Sequence, residues 1–325
     1  MAVYTQLGAE ELAGIIGEFA VGALVSAKGI AEGVSNSNWL IETEGPDGKG
    51  ARYILTMYES RTEVSELPFF LGLLDHLAER GCPVPRTIHD SQGQAYRLHQ
   101  GKALALIEFL PGISVSIPTA GQARSVGAAL AQIHLAAGDF AQARTNDMGL
   151  ARWQSLMQAC GDEGLAAIHP ELPALVEREL QRLVRRWPTG LPHSVIHADL
   201  FPDNVLMRGN EVTGLIDFYF ACNDITAYDV AVTHAAWCFD ATGRRFLPEI
   251  SAALLEGYRS VRTLSDEELA ALPLLAQGAA MRFLATRAYD WLNTPADALV
   301  TRKDPMAFAR RLEFYADPAN ARVFA

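Results

Sequence analysis

Residues 195–218 read VIHADLFPDNVLMRGNEVTGLIDF, and they form the most informative stretch of this 325-residue chain. A Gly-Asn pair separates two short apolar runs within it, a pattern that predicts a β-hairpin with a two-residue turn. An antiparallel hairpin brings the residue before its first strand beside the residue after its second. We therefore expect Asn204 and Asp217 at the same end of the hairpin, with Asp199 on the loop just upstream.

These three side chains suit the chemistry of phosphoryl transfer. Magnesium prefers one or two protein carboxylate or amide oxygens together with substrate phosphates, so Asn204 and Asp217 are the predicted metal ligands. The order H-x-D-x-x-x-x-N, followed downstream by D-F, is that of the catalytic and metal loops of kinases. Asp199 is then the predicted catalytic base, which accepts the proton of an acceptor hydroxyl. The alternative is that all three are ordinary polar loop residues that cap the hairpin.

Two further residues near this stretch are expected to support it. His197 is predicted to brace the loop by hydrogen bonding, because the corresponding position in kinases has no chemical step. Asp229 begins an apolar helical run and is expected to cap that helix or to brace the catalytic loop from a buried position. A metal-dependent hydrolase built on His197 and Asp199 is a weaker interpretation, because a second histidine cluster is missing. His134, on a helical face, is expected to be a satisfied core histidine.

The pattern of the chain changes near residue 110. Before this point, short strand candidates alternate with glycine-rich turns around one helix at 67–77. After it, helical periodicity dominates, at 120–137, 173–187, 250–258 and 272–292. The sequence therefore predicts an α+β, two-lobed, protein-kinase-like fold. A small antiparallel-sheet lobe (1–110) is expected to bind nucleotide, and a larger, mainly helical lobe (111–325) is expected to bind substrate and carry out catalysis.

The first lobe offers a candidate phosphate-binding turn. The segment 28–33 contains two glycines and falls between two predicted strands, where exposed amides can cradle phosphates. Lys28, Gly29 and Gly33 are the nucleotide-binding residues predicted there. A plain β-turn is the alternative.

The last predicted strand of this lobe ends at residues that we expect to bind adenine. The backbone of Glu108, Phe109 and Leu110 could contact the adenine edge while apolar side chains enclose the ring. The third strand lacks the lysine that kinases usually place there, because Thr56 stands at about that position. Lys28 or Arg61 could substitute for it.

The composition favours a well-buried globular protein, because half of the residues are apolar and a fifth are charged. The formal net charge of −11 disfavours binding to nucleic acid or to an anionic membrane surface. The N-terminus lacks the pattern of a signal peptide, and no uncharged apolar stretch approaches the ~18 residues of a spanning helix. The four scattered cysteines fit buried free thiols. We expect a cytoplasmic protein without nucleic-acid or membrane partners, either a monomer or a homodimer.

The chain resembles the aminoglycoside-phosphotransferase and choline-kinase superfamily, and within it the homoserine kinases of that fold. The segments that carry the resemblance are 29–38, 67–70, 197–204, 215–224, 282–283 and 289–292. The resemblance implies that the γ-phosphoryl group of ATP, with Mg²⁺, is transferred to the side-chain hydroxyl of L-homoserine. The product would be O-phospho-L-homoserine, an intermediate of threonine biosynthesis. The missing third-strand lysine departs from the wider superfamily.

Homoserine is a zwitterion, so its site needs an anion for the ammonium and a cation for the carboxylate. Arginine suits bidentate capture of a carboxylate, which makes Arg282 and Arg287 the predicted substrate residues. Arg287 and Asp290 could instead form a surface ion pair one turn apart. Asp224 is expected to hold the ammonium or to cap the next helix. Two alternatives stay open, namely a kinase for choline, methylthioribose or an aminoglycoside, and a catalytically silent nucleotide-binding regulator.

Overall fold

The computed structural model describes residues 5, 7–30, 36–59, 63–294 and 302–324. The chain divides into two compact units, Met1–Pro111 and Gly112–Ala325. The strands are β1 (Ala23–Ile30), β2 (Ser37–Glu44), β3 (Gly50–Met57), β4 (Thr87–Ile88), β5 (Arg97–His99), β6 (Lys102–Glu108), β7 (His193–Ile196), β8 (Val205–Arg208), β9 (Glu211–Leu215) and β10 (Cys222–Ile225). The helices are α1 (Ala9–Gly17), α2 (Leu67–Glu79), α3 (Ala120–Ala136), α4 (Leu150–Ile168), α5 (Leu172–Arg186), α6 (Thr226–Trp237), α7 (Pro248–Arg259), α8 (Asp266–Asn293) and α9 (Met306–Ala316).

The N-terminal unit is built on one antiparallel sheet in the order β1-β2-β3-β6-β4, with β5 also paired to β6. Burial alternates along β2, so that every second side chain faces the core. Trp39 and Ile41 lie on that face and belong to a cluster with Leu55 of β3 and Ile16 of α1. An alternating pattern is what a half-buried strand requires, and it explains why the sequence predicts this sheet well.

The C-terminal unit is organised around the long helix α8, against which α4, α6 and α9 pack. Its N-terminus is fixed by a capping box between Ser265 and Glu268. By length and composition alone α8 could cross a membrane, but 67% of its apolar window is buried within the protein. Such burial is expected of a core helix. The predicted α+β fold class, with an antiparallel N-terminal sheet and a mainly helical C-terminal region, is confirmed.

Helices α3 and α7 approach each other so closely that their backbones touch. A Cβ atom at Gly127 of α3 would overlap the carbonyl oxygen of Leu254, and one at Gly257 of α7 would overlap the carbonyl oxygen of Arg124. Only glycine fits at such crossings, because any side chain would push the two helices apart. This pair carries His134 on α3 and Tyr258 on α7, both of which are buried.

Candidate active site

The hairpin of β8 and β9 sets the geometry of the site. Val205 pairs with Leu215, and the amide of Ile216 donates a hydrogen bond to the carbonyl oxygen of Asn204 over 3.0 Å. This register places Asn204 and Asp217 at the same end of the hairpin. The Nδ2 atom of Asn204 donates to the backbone oxygen of Asp199 over 2.8 Å and lies 3.4 Å from its Oδ2 atom. The structure thus brings the three residues together.

Two residues of this region have left-handed backbone conformations although neither is glycine. Ala198 has φ +64°, and Asp217 has φ +66°. Such conformations cost roughly 1 kcal/mol or more and persist where the surrounding structure enforces them. Ala198 is adjacent to the predicted base Asp199, and Asp217 is itself a predicted metal ligand. The backbone strain therefore lies at the candidate site.

Asp229 of α6 enforces the conformation of the loop at Ala198. Its Oδ1 atom accepts a hydrogen bond from the amide of Ala198 over 2.8 Å, and its Oδ2 atom accepts one from the amide of His197 over 2.7 Å. Oδ2 also accepts from Nε2 of His134 over 3.1 Å. Burial alone would raise the pKa of Asp229, but the hydrogen bonds from His134 and from the amide of His197 hold this pKa below its usual value. The carboxylate is therefore kept ionised by its partners.

His197 connects the predicted catalytic loop (residues 197–204) to the predicted metal loop (residues 216–218). Its Nε2 atom donates to the carbonyl oxygen of Ile216 over 3.0 Å, and its Nδ1 atom accepts from the amide of Asp199 over 3.2 Å. The ring also packs on Phe218, with 4.5 Å between centroids. Burial lowers the pKa of His197, which favours the neutral imidazole that this bonding pattern requires. One side chain thus joins the segments that carry Asp199 and Asp217.

The two aspartates of the site have raised pKa values. Burial raises the pKa of Asp199 to about 7, opposed by the charge of Arg282 and assisted by Asp217. Asp217 is more exposed to solvent than Asp199. Partial desolvation by the surrounding protein still raises its pKa to about 6, and the negative charge of Asp203 adds to the increase. Two carboxylates that share a site resist ionising together. A bound cation would relieve this repulsion.

Among the described residues, no group of three or more His, Cys, Asp or Glu side chains could hold a metal ion. Asn204 and Asp217 offer an amide and a carboxylate oxygen, which is the small protein share that Mg²⁺ takes beside phosphates. The donor set therefore fits magnesium carried by a nucleotide better than a closed metal cage. Cavities of about 550 and 590 Å³ in this unit are lined by other residues, near α5 with α9 and along α7.

The predicted substrate residues of α8 and β10 have partners within the C-terminal unit. Arg282 is 2% exposed, and its NH1 atom donates to the backbone oxygen of Ala198. Arg287 is half-buried over the ring of Phe308, 4.4 Å from its centroid. The Oδ2 atom of Asp224 accepts from Nδ2 of Asn146 over 2.6 Å.

Lys303 is a residue of this site that the sequence analysis missed. Its Nζ atom lies 3.7 Å from Oδ2 of Asp203 and 5.7 Å from the centroid of Phe201, both on the catalytic loop. Its charge lowers the pKa of both Asp199 and Asp217. No local pattern could have indicated it, because the contact depends on how the segment before α9 packs.

The predicted nucleotide residues of the N-terminal unit lie at the ends and edge of its sheet. Lys28 and Gly29 are on β1, opposite Leu40 and Trp39. The predictions for Gly33 and Arg61 lie outside the described residues.

The predicted adenine segment begins at the end of β6. The amide of Glu108 donates to the carbonyl oxygen of Arg86 over 2.9 Å, and its Oε2 atom accepts from the amide of Arg86 over 3.2 Å. Phe109, which follows, lies under the guanidinium of Arg52 at 5.9 Å, and Leu110 is half-buried.

Thr56, which stands at the position of the missing lysine, forms a hydrogen bond between neutral groups. The hydroxyl of Thr56 on β3 donates to Oδ1 of Asn38 on β2 over 2.8 Å. A lysine–glutamate ion pair does exist in this unit, but it joins Lys102 of β6 to Glu59, just after β3. This pair was also missed by the sequence analysis, since neither residue belongs to a kinase motif.

The chain is similar to known phosphotransferases over most of its length. Residues 26–264 match the phosphotransferase enzyme family, abbreviated APH. The chain is 48% identical to a homoserine kinase of Gluconobacter oxydans (strain 621H) over 317 residues, which cover 97% of this chain and 98% of that protein. It is 48% identical to a homoserine kinase of Bradyrhizobium sp. (strain ORS 278) over 324 residues, which cover 100% of this chain and 98% of the relative.

A solved structure shares the fold at low sequence identity. Amicoumacin kinase hAmiN, in complex with AMP-PNP, Ca²⁺ and Ami, superposes with a TM-score of 0.72 at 14% identity. The match covers 95% of this chain and 94% of that one. At this identity the likeness shows the fold alone.

Proposed function

The chain belongs to the homoserine kinases of the phosphotransferase enzyme family, and we propose that Asp199 is its catalytic base and that Asn204 and Asp217 hold magnesium with ATP. As a homoserine kinase, it phosphorylates homoserine for threonine biosynthesis. The observation that carries the residue assignment is the junction at the hairpin, where Asn204 is hydrogen-bonded to Asp199 beside the end of β9.

Asp199 suits the role of a base that aligns the acceptor hydroxyl. With a pKa of about 7, its carboxylate is ionised in a large fraction of molecules near neutral pH, yet basic enough to accept a proton. The backbone on either side of it is held by Asp229 and His197, so the carboxylate is aimed before substrate arrives. Arg282, through the carbonyl of Ala198, supports the same loop.

Asn204 and Asp217 suit the role of magnesium ligands. The amide nitrogen of Asn204 donates to Asp199, which leaves its amide oxygen available to a hard cation. Asp217 adds a carboxylate oxygen from just after β9, at the same end of the hairpin as Asn204. When bound, magnesium supplies positive charge that stabilises the charge on the β- and γ-phosphates. ATP as phosphoryl donor is implied by the kinase family, and Mg²⁺ is our assignment.

For the nucleotide, we place the phosphates beside Lys28, Gly29 and Gly33 and the adenine beside the segment 108–110. Since the amide of Glu108 already donates to Arg86, the adenine contacts are assigned to the backbone of Phe109 and Leu110.

We place the enzyme in the cytoplasm, as a monomer or a homodimer. All four cysteines are free and buried, which fits a reducing compartment.

The replacement Asp199→Asn tests the assignment of the base. We expect homoserine-dependent ADP release to fall about 10³-fold in kcat, because a general base contributes on that order. The Kd for ATP, measured by calorimetry, should change less than about threefold, because the base does not hold the nucleotide. Asp162→Asn makes the same chemical change at an exposed position of α4 and should leave both values unaltered. Retained turnover in Asp199→Asn would show that another residue is the base.

The replacement Asp217→Asn tests the assignment of the metal ligand. The Mg²⁺ concentration needed for half-maximal activity should rise at least tenfold, because one anionic ligand is lost. A fall in activity with an unaltered Mg²⁺ requirement would contradict the assignment.

A further inference from the structure

Homoserine differs from a simple amino alcohol by its carboxylate, so an enzyme that selects it needs a cation at a defined place. The carboxylate carbon lies four bonds from the reacting oxygen, about 5 Å in an extended chain. We propose that Lys303 binds this carboxylate and thereby selects an amino-acid acceptor, an inference that rests on the assignment of Asp199 as the base. Three described cations bear on this question, namely Arg282, Arg287 and Lys303.

Lys303 presents its ammonium at the catalytic loop without being used by the fold. Its nearest anionic partner, Asp203, is 3.7 Å away, and the two side chains are 63% and 65% exposed. An exposed pair of this kind contributes at most about 1 kcal/mol, so a ligand can displace it easily. The same ammonium lies over the ring of Phe201, between Asp199 and Asn204 in the sequence. It is close enough to both Asp199 and Asp217 to lower their pKa values.

The backbone that carries Lys303 is anchored although the side chain is exposed. Oδ1 of Asp304 accepts a hydrogen bond from the amide of Met306 over 2.9 Å, and Oδ2 lies 3.6 Å from NH1 of Arg310. Pro305, the next residue, is buried. A fixed backbone with a long, solvated side chain is suited to reach a small ligand over the catalytic loop.

The aromatic side chains beneath this segment fix its position relative to the base. The ring of Phe201 packs against Phe283 of α8 at 4.8 Å and against Phe308 of α9 at 6.1 Å between centroids. The rings of Phe283 and Phe308 are themselves 5.0 Å apart. The catalytic loop, α8 and the start of α9 therefore share one aromatic cluster, and Lys303 lies on top of it.

The two arginines contact the protein itself, although the buried Nε atom of Arg282 has no hydrogen-bond partner among the described residues. Arg282 is buried, donates to the backbone of Ala198 and lies over the rings of Phe283 and Phe220, at 4.7 and 5.2 Å. Arg287 covers the ring of Phe308 and donates to the backbone oxygen of Asp304 over 3.4 Å. Burial lowers the pKa of Arg287 to about 10. The guanidinium groups of Arg282 and Arg287 are therefore held by contacts within the protein. The exposed ammonium of Lys303 is the one of the three that we assign to the ligand.

Two acceptors separate carboxylate binding from catalysis. L-Homoserine and 3-amino-1-propanol share the hydroxyl and the amine, but the second lacks the carboxylate. For Lys303→Met, we expect kcat/KM for homoserine to fall about 30-fold, mostly through KM, because a hydrogen bond to a charged group is lost. For 3-amino-1-propanol, assayed at high concentration, kcat/KM should change less than about threefold. Lys303→Arg, which retains the charge, should recover most of the activity with homoserine.

Arg302→Met is the matched control, because it removes a neighbouring exposed cation that donates to the backbone oxygens of Trp291 and Thr294. It should leave both acceptors unaffected. Since the side chain of Lys303 is exposed, Lys303→Met should fold with an unaltered Tm.

Three outcomes would overturn the inference. Equal losses with both acceptors would show that Lys303 acts on the transferred phosphoryl group. A selective loss of homoserine in Arg287→Met but not in Lys303→Met would assign the carboxylate to Arg287. Full activity of Lys303→Met with homoserine would leave Lys303 without a role. None of these outcomes bears on the assignment of Asp199 as the catalytic base. Retained turnover of both acceptors in Asp199→Asn would refute that assignment.

Discussion

The catalytic loop and the α3–α7 helix pair are linked by the hydrogen bond between His134 and Asp229, yet different interactions stabilise them. The loop is fixed by buried charges and hydrogen bonds, and it contains a strained backbone at Ala198. The helix pair is fixed by close contact of two backbones at Gly127 and Gly257. Hydrogen bonds to buried polar groups fix the position and direction of individual atoms. Close packing lowers the free energy of the folded state but does not orient any particular group. The comparison predicts that changes in the loop affect chemistry first and that changes in the helix pair affect stability first.

Among the residues that support the site, the largest effect is expected for Asp229→Asn. An amide can accept only at its oxygen, and its NH₂ group would face an N–H donor of either Ala198 or His197. We expect the free energy of unfolding to fall by about 2–4 kcal/mol and kcat to fall about 100-fold. Urea unfolding and steady-state kinetics measure the two values. If kcat changed no more than threefold, the bracing of the loop would have no bearing on catalysis.

A smaller effect, confined to stability, is expected for Gly127→Ala. The added Cβ would overlap the carbonyl oxygen of Leu254 and force α3 away from α7, at a cost of about 2 kcal/mol. Below the melting temperature, kcat should stay within about threefold of that of the original enzyme. Gly138→Ala is the control, since no atom lies within 4 Å of its added Cβ. A loss of kcat as large as that of Asp229→Asn would erase the distinction between the two regions.

The pH profile of activity probes the loop alone. Asp199 must be ionised to accept a proton, and its pKa is about 7. Mg²⁺ bound at Asp217 relieves part of the repulsion that raises this pKa, so with Mg²⁺ and ATP saturating, kcat/KM for homoserine should fall toward acid pH with a midpoint below 7. A profile that stays flat down to about pH 5 would contradict this.

The same pKa has a consequence for stability. Because the pKa of Asp199 is higher in the folded state than its ordinary 3.8, its contribution to stability is full below about pH 4 and is lost as the pH rises through 7. Without Mg²⁺ and ATP, Asp199→Asn should therefore raise Tm by more degrees at pH 8 than at pH 5. The opposite order would show that the pKa is not raised.

The smallest effects come from two buried His–Tyr pairs. The hydroxyl of Tyr258 lies 2.8 Å from Nδ1 of His134, and that of Tyr315 lies 2.6 Å from Nδ1 of His234. Replacing either tyrosine by phenylalanine should lower the free energy of unfolding by about 1 kcal/mol. Only Tyr258→Phe should also lower kcat, about threefold, because His134 supports Asp229. Equal kcat values in the two variants would contradict the proposed link from α7 to the loop.

Local patterns account for most of what could be predicted. The strands β1, β2, β3, β5 and β6 and the helices α2, α3, α5, α7 and α8 follow from periodicity and turn residues. The hairpin was predicted because Gly209 and Asn210 form its turn, and the register then placed Asn204 near Asp217. Patterns of this kind need only a few neighbouring residues, so they can be recognised without knowledge of the rest of the chain.

Other elements carry too little local signal. Strands β7 and β10 have four residues each and form a two-stranded sheet. Helix α4 is interrupted at Gly161, where φ is +64°, so its apolar residues do not follow one uninterrupted period. Helices α1 and α9 are short, and their apolar faces gain meaning only from the surfaces that they cover.

The sequence by itself predicted the fold class, the more regular elements of both units and the hairpin that brings Asn204 and Asp217 to one end, because each depends on spacing along the chain. Asp229 was expected to support that site, but only the tertiary structure decided which atoms it and the other supporting groups reach. Asp229 reaches the amide of Ala198, Arg282 reaches its carbonyl oxygen, and Lys303 reaches the rim of the catalytic loop. These contacts join segments far apart in sequence, and their distances are set by how α6, α8 and α9 pack, which no local spacing encodes.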